Sequence, residues 1–345
     1  MRLLLLGGTW FLGRSLAEAA LTRDWQVTTF SRGHSGHDAE GTECVRGDRS
    51  SLADLSQLSH LGRWDAVVDT SGHVPGLVAT AARALRPLTD RYVYISTVNA
   101  YQGWPSEPLT DDSPVYDVPP DMISATPGAD RGMAPAVEYG QMKAASELAA
   151  QHYFDHQCLI LRPGVILGPY EYVGRLPWLL RRMQRGGRVL AAGNPSQLIQ
   201  PVDVRDLTSF ILDAITQKLA GAMNVTAPIG HSSYGEMLNA CRDVTGQQAT
   251  LVWVDEEWLS RQEVTPWTEI PLWRTARGAW NVSSARAEAA GLACRPLPET
   301  VADTWAWMNR EEPMRHERAD EIGLDPAKEQ RLLHAWDRYS THTGG

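Results

Sequence analysis

Residues 2–13 read RLLLLGGTWFLG. Four consecutive leucines closed by a glycine pair have the length and uniformity of a strand buried on both faces. From Phe11 onward, Phe11, Leu12, Leu16 and Ala20 recur at helical spacing. Strand, glycine turn and helix in that order make a phosphate cradle: glycine permits the tight turn, and the free amides and dipole at the helix start stabilise negative charge. The cradle residues are Gly7, Thr9, Trp10, Phe11, Leu12 and Gly13. Trp10 stands where a G-x-x-G-x-x-G spacing would put its middle glycine, so its side chain must point away from a pyrophosphate or the nucleotide must sit differently.

Outward from this unit the pattern repeats. Strands are expected at 25–30 (WQVTTF), 42–47, 64–70, 91–97, 158–164 and 222–227. Helices are expected at 50–58, opened by a serine cap, at 76–85 and over about 203–216. Alternation of this kind predicts right-handed βαβ crossovers, an α/β Rossmann-type fold with a doubly wound parallel sheet. Past residue 228 the rhythm breaks, and Trp253, Trp258, Trp267, Trp273, Trp280, Trp305 and Trp307 crowd the remainder. A smaller C-terminal substrate-binding lobe is expected there, with helices at 233–244, 283–290, 299–309 and 325–338. The expected division is a dinucleotide-binding domain over 1–165 and 200–228, and a substrate-binding lobe over 166–199 and 229–345. Residues 102–132 read as a long proline-rich loop, a length usually tied to function.

Composition narrows the function classes. The chain has 345 residues, 43% hydrophobic and 21% charged, with a net charge of −9. That is an ordinary globular profile with no basic field for nucleic acid or anionic lipid. The LLLL run is too short for a secretory h-region, and no stretch approaches a membrane span, so a cytoplasmic protein is expected. Four cysteines without paired spacing and ten histidines without a ligand pattern argue for no disulfide frame and no metal.

The strand at 25–30 runs into Ser31 and Arg32 rather than an acidic residue. An arginine there can pair with a 2′-phosphate, so NADPH is expected over NAD, with NAD possible. Asp48 is a weaker candidate for the adenine side. Tyr139 and Lys143 stand four apart in VEYGQMKAASE (137–147), on one face of a helix. A lysine beside a phenol favours the phenolate, and such a tyrosine can exchange a proton with a substrate oxygen. Lys143 is one of three lysines, with Lys218 and Lys328, against 29 arginines. Base composition accounts for most of that bias; position 143 keeps the compact point charge with three donors.

Taken in order, GGTWFLG (7–13), YISTVNAY (94–101), YGQMKAASE (139–147), LRPGVILGP (161–169), VDVRDL (202–207) and NVTAP (224–228) resemble the extended short-chain dehydrogenase/reductases, the NAD-dependent epimerase/dehydratase group. The resemblance implies Tyr139 as acid/base, Lys143 as its partner and holder of the nicotinamide ribose, and Thr97 as the hydroxyl on the substrate oxygen, with Ser96 its neighbouring candidate. It implies Ser71 and Gly72 along the nucleotide path, and Pro163, Gly164 and Val165 by the carboxamide. Substrate-side candidates are His73, Asn99, Trp104, Tyr170, Trp178, Gln200 and Trp267. Sugar-nucleotide dehydratases of the group carry Asp-Glu after the catalytic threonine; Val98 and Asn99 stand there instead, against elimination chemistry. The leading expectation is reduction of a small-molecule carbonyl or imine. An epimerase with tightly held NAD and a non-catalytic dinucleotide-binding protein are the alternatives, as monomer or homodimer.

Overall fold

The computed structural model describes residues 1–34, 36–123, 136–311 and 320–343. Seven strands build one parallel sheet: β1 (Arg2–Leu6), β2 (Gln26–Ser31), β3 (Glu43–Arg46), β4 (Ala66–Asp69), β5 (Tyr92–Ile95), β6 (Cys158–Pro163) and β7 (Gly221–Val225). Their order is β7-β6-β5-β4-β1-β2-β3. The four leucines of β1 are each at most 1% exposed, as a central strand covered on both faces requires. Each such burial contributes about 1.5–3 kcal/mol.

The helices are α1 (Phe11–Thr22), α2 (Leu52–Gln57), α3 (Pro75–Leu85), the short α4 (Pro120–Ile123), α5 (Ala136–Phe154) and α6 (Val204–Thr216). Ser51 caps α2 as its sequence position suggested, its Oγ accepting from the Asp54 amide at 3.1 Å. α1 packs with α6, and α3 with α5. On the α3/α5 side, Val78, Ala81, Leu85, Ala149 and Phe154 close over Leu4, Leu6, Val67, Tyr92 and Tyr94.

Register places the site. Leu6 pairs with Asp69, Asp69 with Tyr94, and Ile95 with Leu161. The strands therefore end along one edge, and the segments after Leu6, Asp69, Ile95 and Pro163 emerge side by side. Strand order reverses between β1 and β4, the switch point at which such sheets bind ligands.

The chain divides into two compact units: Met1–Ile166, Val204–Pro228 and Arg277–Cys294 form one, and Leu167–Asp203, Ile229–Ala276 and Arg295–Gly345 the other. The sequence reading put 277–294 in the C-terminal lobe; the structure joins it to the sheet-bearing unit. Its ties are backbone bonds between distant segments, Leu109 N to Asn281 O at 2.9 Å and Ser283 N to Leu109 O at 2.8 Å, which leave no mark in local sequence. The helix expected at 283–290 is the short Ala285–Ala289. The second unit carries two parallel strands that sequence reading missed, Gly187–Ala192 and Ala249–Val254, and helices Arg175–Gln184, Tyr234–Val244, Leu297–Met308 and Pro326–Thr343. Arg182 Nε donates to Glu329 Oε2 at 2.7 Å, a buried pair that docks the last helix. Of the long loop, residues 124–132 lie outside the described residues, as do 312–319 of the C-terminal tail.

Candidate active site

The glycine loop closes tightly over the strand ends. Gly7 and Gly8 both have φ of 112°, and an added Cβ would lie 2.4 Å from Thr70 Oγ1 at Gly7 and 2.7 Å from Thr29 Cγ2 at Gly8. At Gly13 a Cβ would come within 2.7 Å of the Gly8 amide nitrogen, so α1 starts hard against the loop. Trp10, half-buried, fills the N-cap position. Indole is a donor only, so its side chain accepts nothing from the first-turn amides of α1. Thr9, Phe11 and Leu12 are buried beneath the loop.

At the end of β2, Arg32 is exposed and makes no ion pair among the described residues, while Ser31 Oγ accepts from Arg46 Nη1 at 3.1 Å. Arg46 also pairs with Asp38, an acidic residue brought to this edge from outside the strand. Asp48 spends its carboxylate on its own turn, accepting from the Ser50 amide at 2.8 Å and the Ser50 hydroxyl at 2.7 Å.

Its neighbour Arg49, which sequence reasoning passed over, reaches the heart of the site. It holds Asp69 through two bonds, 2.8 and 2.7 Å, and donates to Ser71 Oγ at 3.0 Å. Asp69 also accepts from Tyr92 OH at 2.8 Å and the Ser71 amide at 3.1 Å. Burial alone would push the Asp69 carboxyl up; Arg49 outweighs it and holds the group below the usual range. The turn so fixed presents the Gly72 carbonyl, which accepts from Tyr94 OH at 2.7 Å and Lys143 Nζ at 2.9 Å.

Lys143 is 3% exposed, and its ammonium also donates to Ile95 O at 2.7 Å and lies 4.3 Å from the Tyr94 ring. Two carbonyls and a ring face hold a compact cation here; the planar fork of arginine would not enter the same space. Burial pushes the ammonium down to about 7, against the Asp69 and Glu147 carboxylates, which hold the proton on.

Gly140 sets the approach of α5 to the segment after β5: a Cβ there would be 2.3 Å from Asn99 O and 2.7 Å from Tyr116 Cε2. The turn carrying half-buried Tyr139 is thereby pressed onto Thr97–Asn99. Thr97 Oγ1 accepts from the Asn99 amide at 3.2 Å and donates to Asn99 Oδ1 at 3.1 Å, leaving one lone pair. Ser96 is buried and committed, its hydroxyl donating to Glu147.

Glu147 extends the Tyr139–Lys143 series by another helical step. It receives Arg162 bidentately at 2.9 and 2.6 Å; Arg162 in turn donates to Tyr101 OH at 2.9 Å, and Tyr101 to Asn224 Oδ1 at 2.8 Å. This buried chain ties α5 to β6 and β7. Pro163 ends β6; a Cβ at Gly164 would lie 2.8 Å from Thr226, and Val165 is half-buried. His73 is exposed beside Gly72. Trp104 packs half-buried on Val98, Tyr101, Leu109 and Val282.

The remaining substrate-side candidates belong to the second unit. Trp267, at φ of 74°, has Arg175 at 4.0 Å and Arg274 at 3.6 Å from its ring centre. Both guanidiniums lie against the indole. Burial, and then the Arg175 charge, push Arg274 down to about 9. Tyr170, at φ of 71°, meets Trp307 edge-on at 5.6 Å. Trp178 is covered by Gly323, where a Cβ would fall 1.8 Å from its Nε1, and Gln200 is buried.

A parallel sheet with its strand ends, glycine loop and Tyr139/Lys143 helix at one edge defines a dinucleotide-binding oxidoreductase-type fold. A family model, NAD dependent epimerase/dehydratase family, matches residues 3–227, and the chain belongs to that family. None of the curated proteins matches it. Among solved structures, a UDP-glucose 4-epimerase is 15% identical with a TM-score of 0.69, covering 92% of this chain and all 100% of its own. The Bordetella bronchiseptica enzyme WbmG, in complex with NAD, is 17% identical with a TM-score of 0.67, covering 92% and 97%. The UDP-glucuronic acid 4-epimerase of Bacillus cereus, in complex with NAD, is 15% identical with a TM-score of 0.65, covering 90% and 99%. At these identities the likeness is one of fold. No described helix is long and apolar enough to cross a membrane.

Proposed function

We propose that this chain is an NAD(P)-dependent epimerase that transiently oxidises a secondary alcohol of a sugar or related metabolite. The observation that supports the proposal is the close packing of Gly140 on Asn99, which brings the helix of Tyr139 and Lys143 against the segment that carries Thr97. The nicotinamide cofactor supplies a hydride acceptor that returns what it takes. Tyr139 removes the alcohol proton and later restores it. Lys143, fixed by Gly72 and Ile95, holds the ribose and supplies positive charge. The Thr97 hydroxyl, which here donates to Asn99 Oδ1, would turn to donate to the substrate oxygen and leave the alcohol's single proton to Tyr139. Membership in the epimerase/dehydratase family and the absence of an acidic pair at Val98–Asn99 favour epimerisation over elimination.

Net carbonyl reduction with NADPH is the second reading, favoured by exposed Arg32 at the end of β2. Both are tested by assaying purified protein for retained nucleotide and titrating NADH against NADPH. Retained NAD(H) without net consumption of added cofactor supports the epimerase; tight NADPH binding with turnover supports the reductase. Tyr139→Phe should keep cofactor affinity and lose about 10²–10⁴-fold in turnover. Unchanged turnover would remove Tyr139 from the chemistry in either reading.

A further inference from the structure

Lys143 is buried and makes no ion pair among the described residues. The carboxylates that act on it are Asp69 and Glu147, and each is already engaged bidentately by an arginine, Arg49 and Arg162. The two pairs are not equivalent. Glu147 rides on the same helix as Lys143 and is tied to Ser96 and β6. The Arg49–Asp69 pair comes from outside that helix and shapes the turn that receives the ammonium. Arg49 grips both Asp69 and Ser71 Oγ, Asp69 takes the Ser71 amide, and the next carbonyl, Gly72 O, accepts from Lys143.

We propose that Arg49 and Asp69 are positioning residues for Lys143: they hold the Gly72 carbonyl in place and set, by the balance of their opposite charges, how firmly Lys143 keeps its proton. Of the pair, Asp69 is the larger influence and favours the ammonium, while Arg49 opposes it. The other groups facing Lys143 are Glu147 with Arg162 behind it, His73, the Tyr94 ring, and Tyr139 one helical step back. Because Arg49 and Asp69 work in opposite directions, removing one or the other should move Lys143 oppositely, which a mere strut would not do. The inference rests on the role proposed for Lys143, yet its test needs no substrate.

Three lysines make that test direct. The full chain labelled with ε-¹³C-lysine gives three signals, and Lys143→Met identifies the one that matters. Arg49→Gln should raise the Lys143 midpoint by about one pH unit or more, and Asp69→Asn should lower it by a similar amount. The double variant, with both charges gone, should fall between wild type and Asp69→Asn. Should one single variant fail to fold, the other and the double variant decide, since a buried pair removed together is often tolerated. Singles that move the same way or not at all, or a double variant at or above the wild-type midpoint, overturn the inference. Cofactor binding and turnover are measured apart from this titration, so the functional reading survives its failure.

Discussion

Gly140→Ala separates two opposing expectations at one position. In an ordinary helix interior, alanine in place of glycine stabilises by about 1 kcal/mol, through backbone entropy. At 140 the new methyl would lie 2.3 Å from Asn99 O and 2.7 Å from the Tyr116 ring. A carbon rests about 3.3 Å or more from a carbonyl oxygen, so α5 and the Thr97–Asn99 turn must part by about 1 Å. Overpacking of this kind costs about 1–3 kcal/mol. The difference is a variant between neutral and about 2 kcal/mol less stable than wild type. The functional loss should be larger, because a displacement of about 1 Å between Tyr139 and Thr97 costs roughly 10²-fold in rate. Urea unfolding measures the first quantity and turnover of a substrate accepted by the wild type the second. A variant about 1 kcal/mol more stable than wild type, with full turnover, would refute the close packing of α5 on Asn99 and the placement of Tyr139 that rests on it.

Glu147→Gln strips the buried Arg162 of its counter-charge and should cost about 3–5 kcal/mol, most of which Glu147→Gln with Arg162→Met recovers; urea unfolding of the three proteins checks this. Lys143 ionises in the folded chain at about 7, below its ordinary 10.5, so between those values the unfolded chain holds a proton that the folded chain has released. Its contribution to stability therefore rises with pH through that window, and the urea midpoint of wild type should gain on that of Lys143→Met as pH climbs from about 7 toward 10.5.

Much of the sheet was legible because parallel strands covered on both faces must be apolar throughout. The runs around Leu3–Leu6, Val67–Val68, Tyr92–Ile95 and Leu159–Leu161 all became sheet strands. The missed strands of the second unit, Gly187–Ala192 and Ala249–Val254, pair only with each other and are partly exposed, so no apolar run marked them as the buried sheet strands are marked. The missed charges left a trace. Asp69 and Arg162 stand in or beside apolar strands, where a charge demands a partner, and Glu147 continues the spacing of Tyr139 and Lys143. What no spacing could supply was which partner each would find.

The sequence by itself determined the strands of the parallel sheet, the glycine turn after the first of them and the Tyr139–Lys143 spacing, because hydrophobic period, turn chemistry and helical spacing act over a few residues. Only the tertiary structure decided that Arg49 meets Asp69 across 20 positions, that Glu147 meets Arg162, and that residues 277–294 return to the sheet-bearing unit. Those choices depend on which strand ends share an edge. Pairing register and burial settle that over the whole chain, and a buried charge takes whatever opposite charge the fold brings within reach.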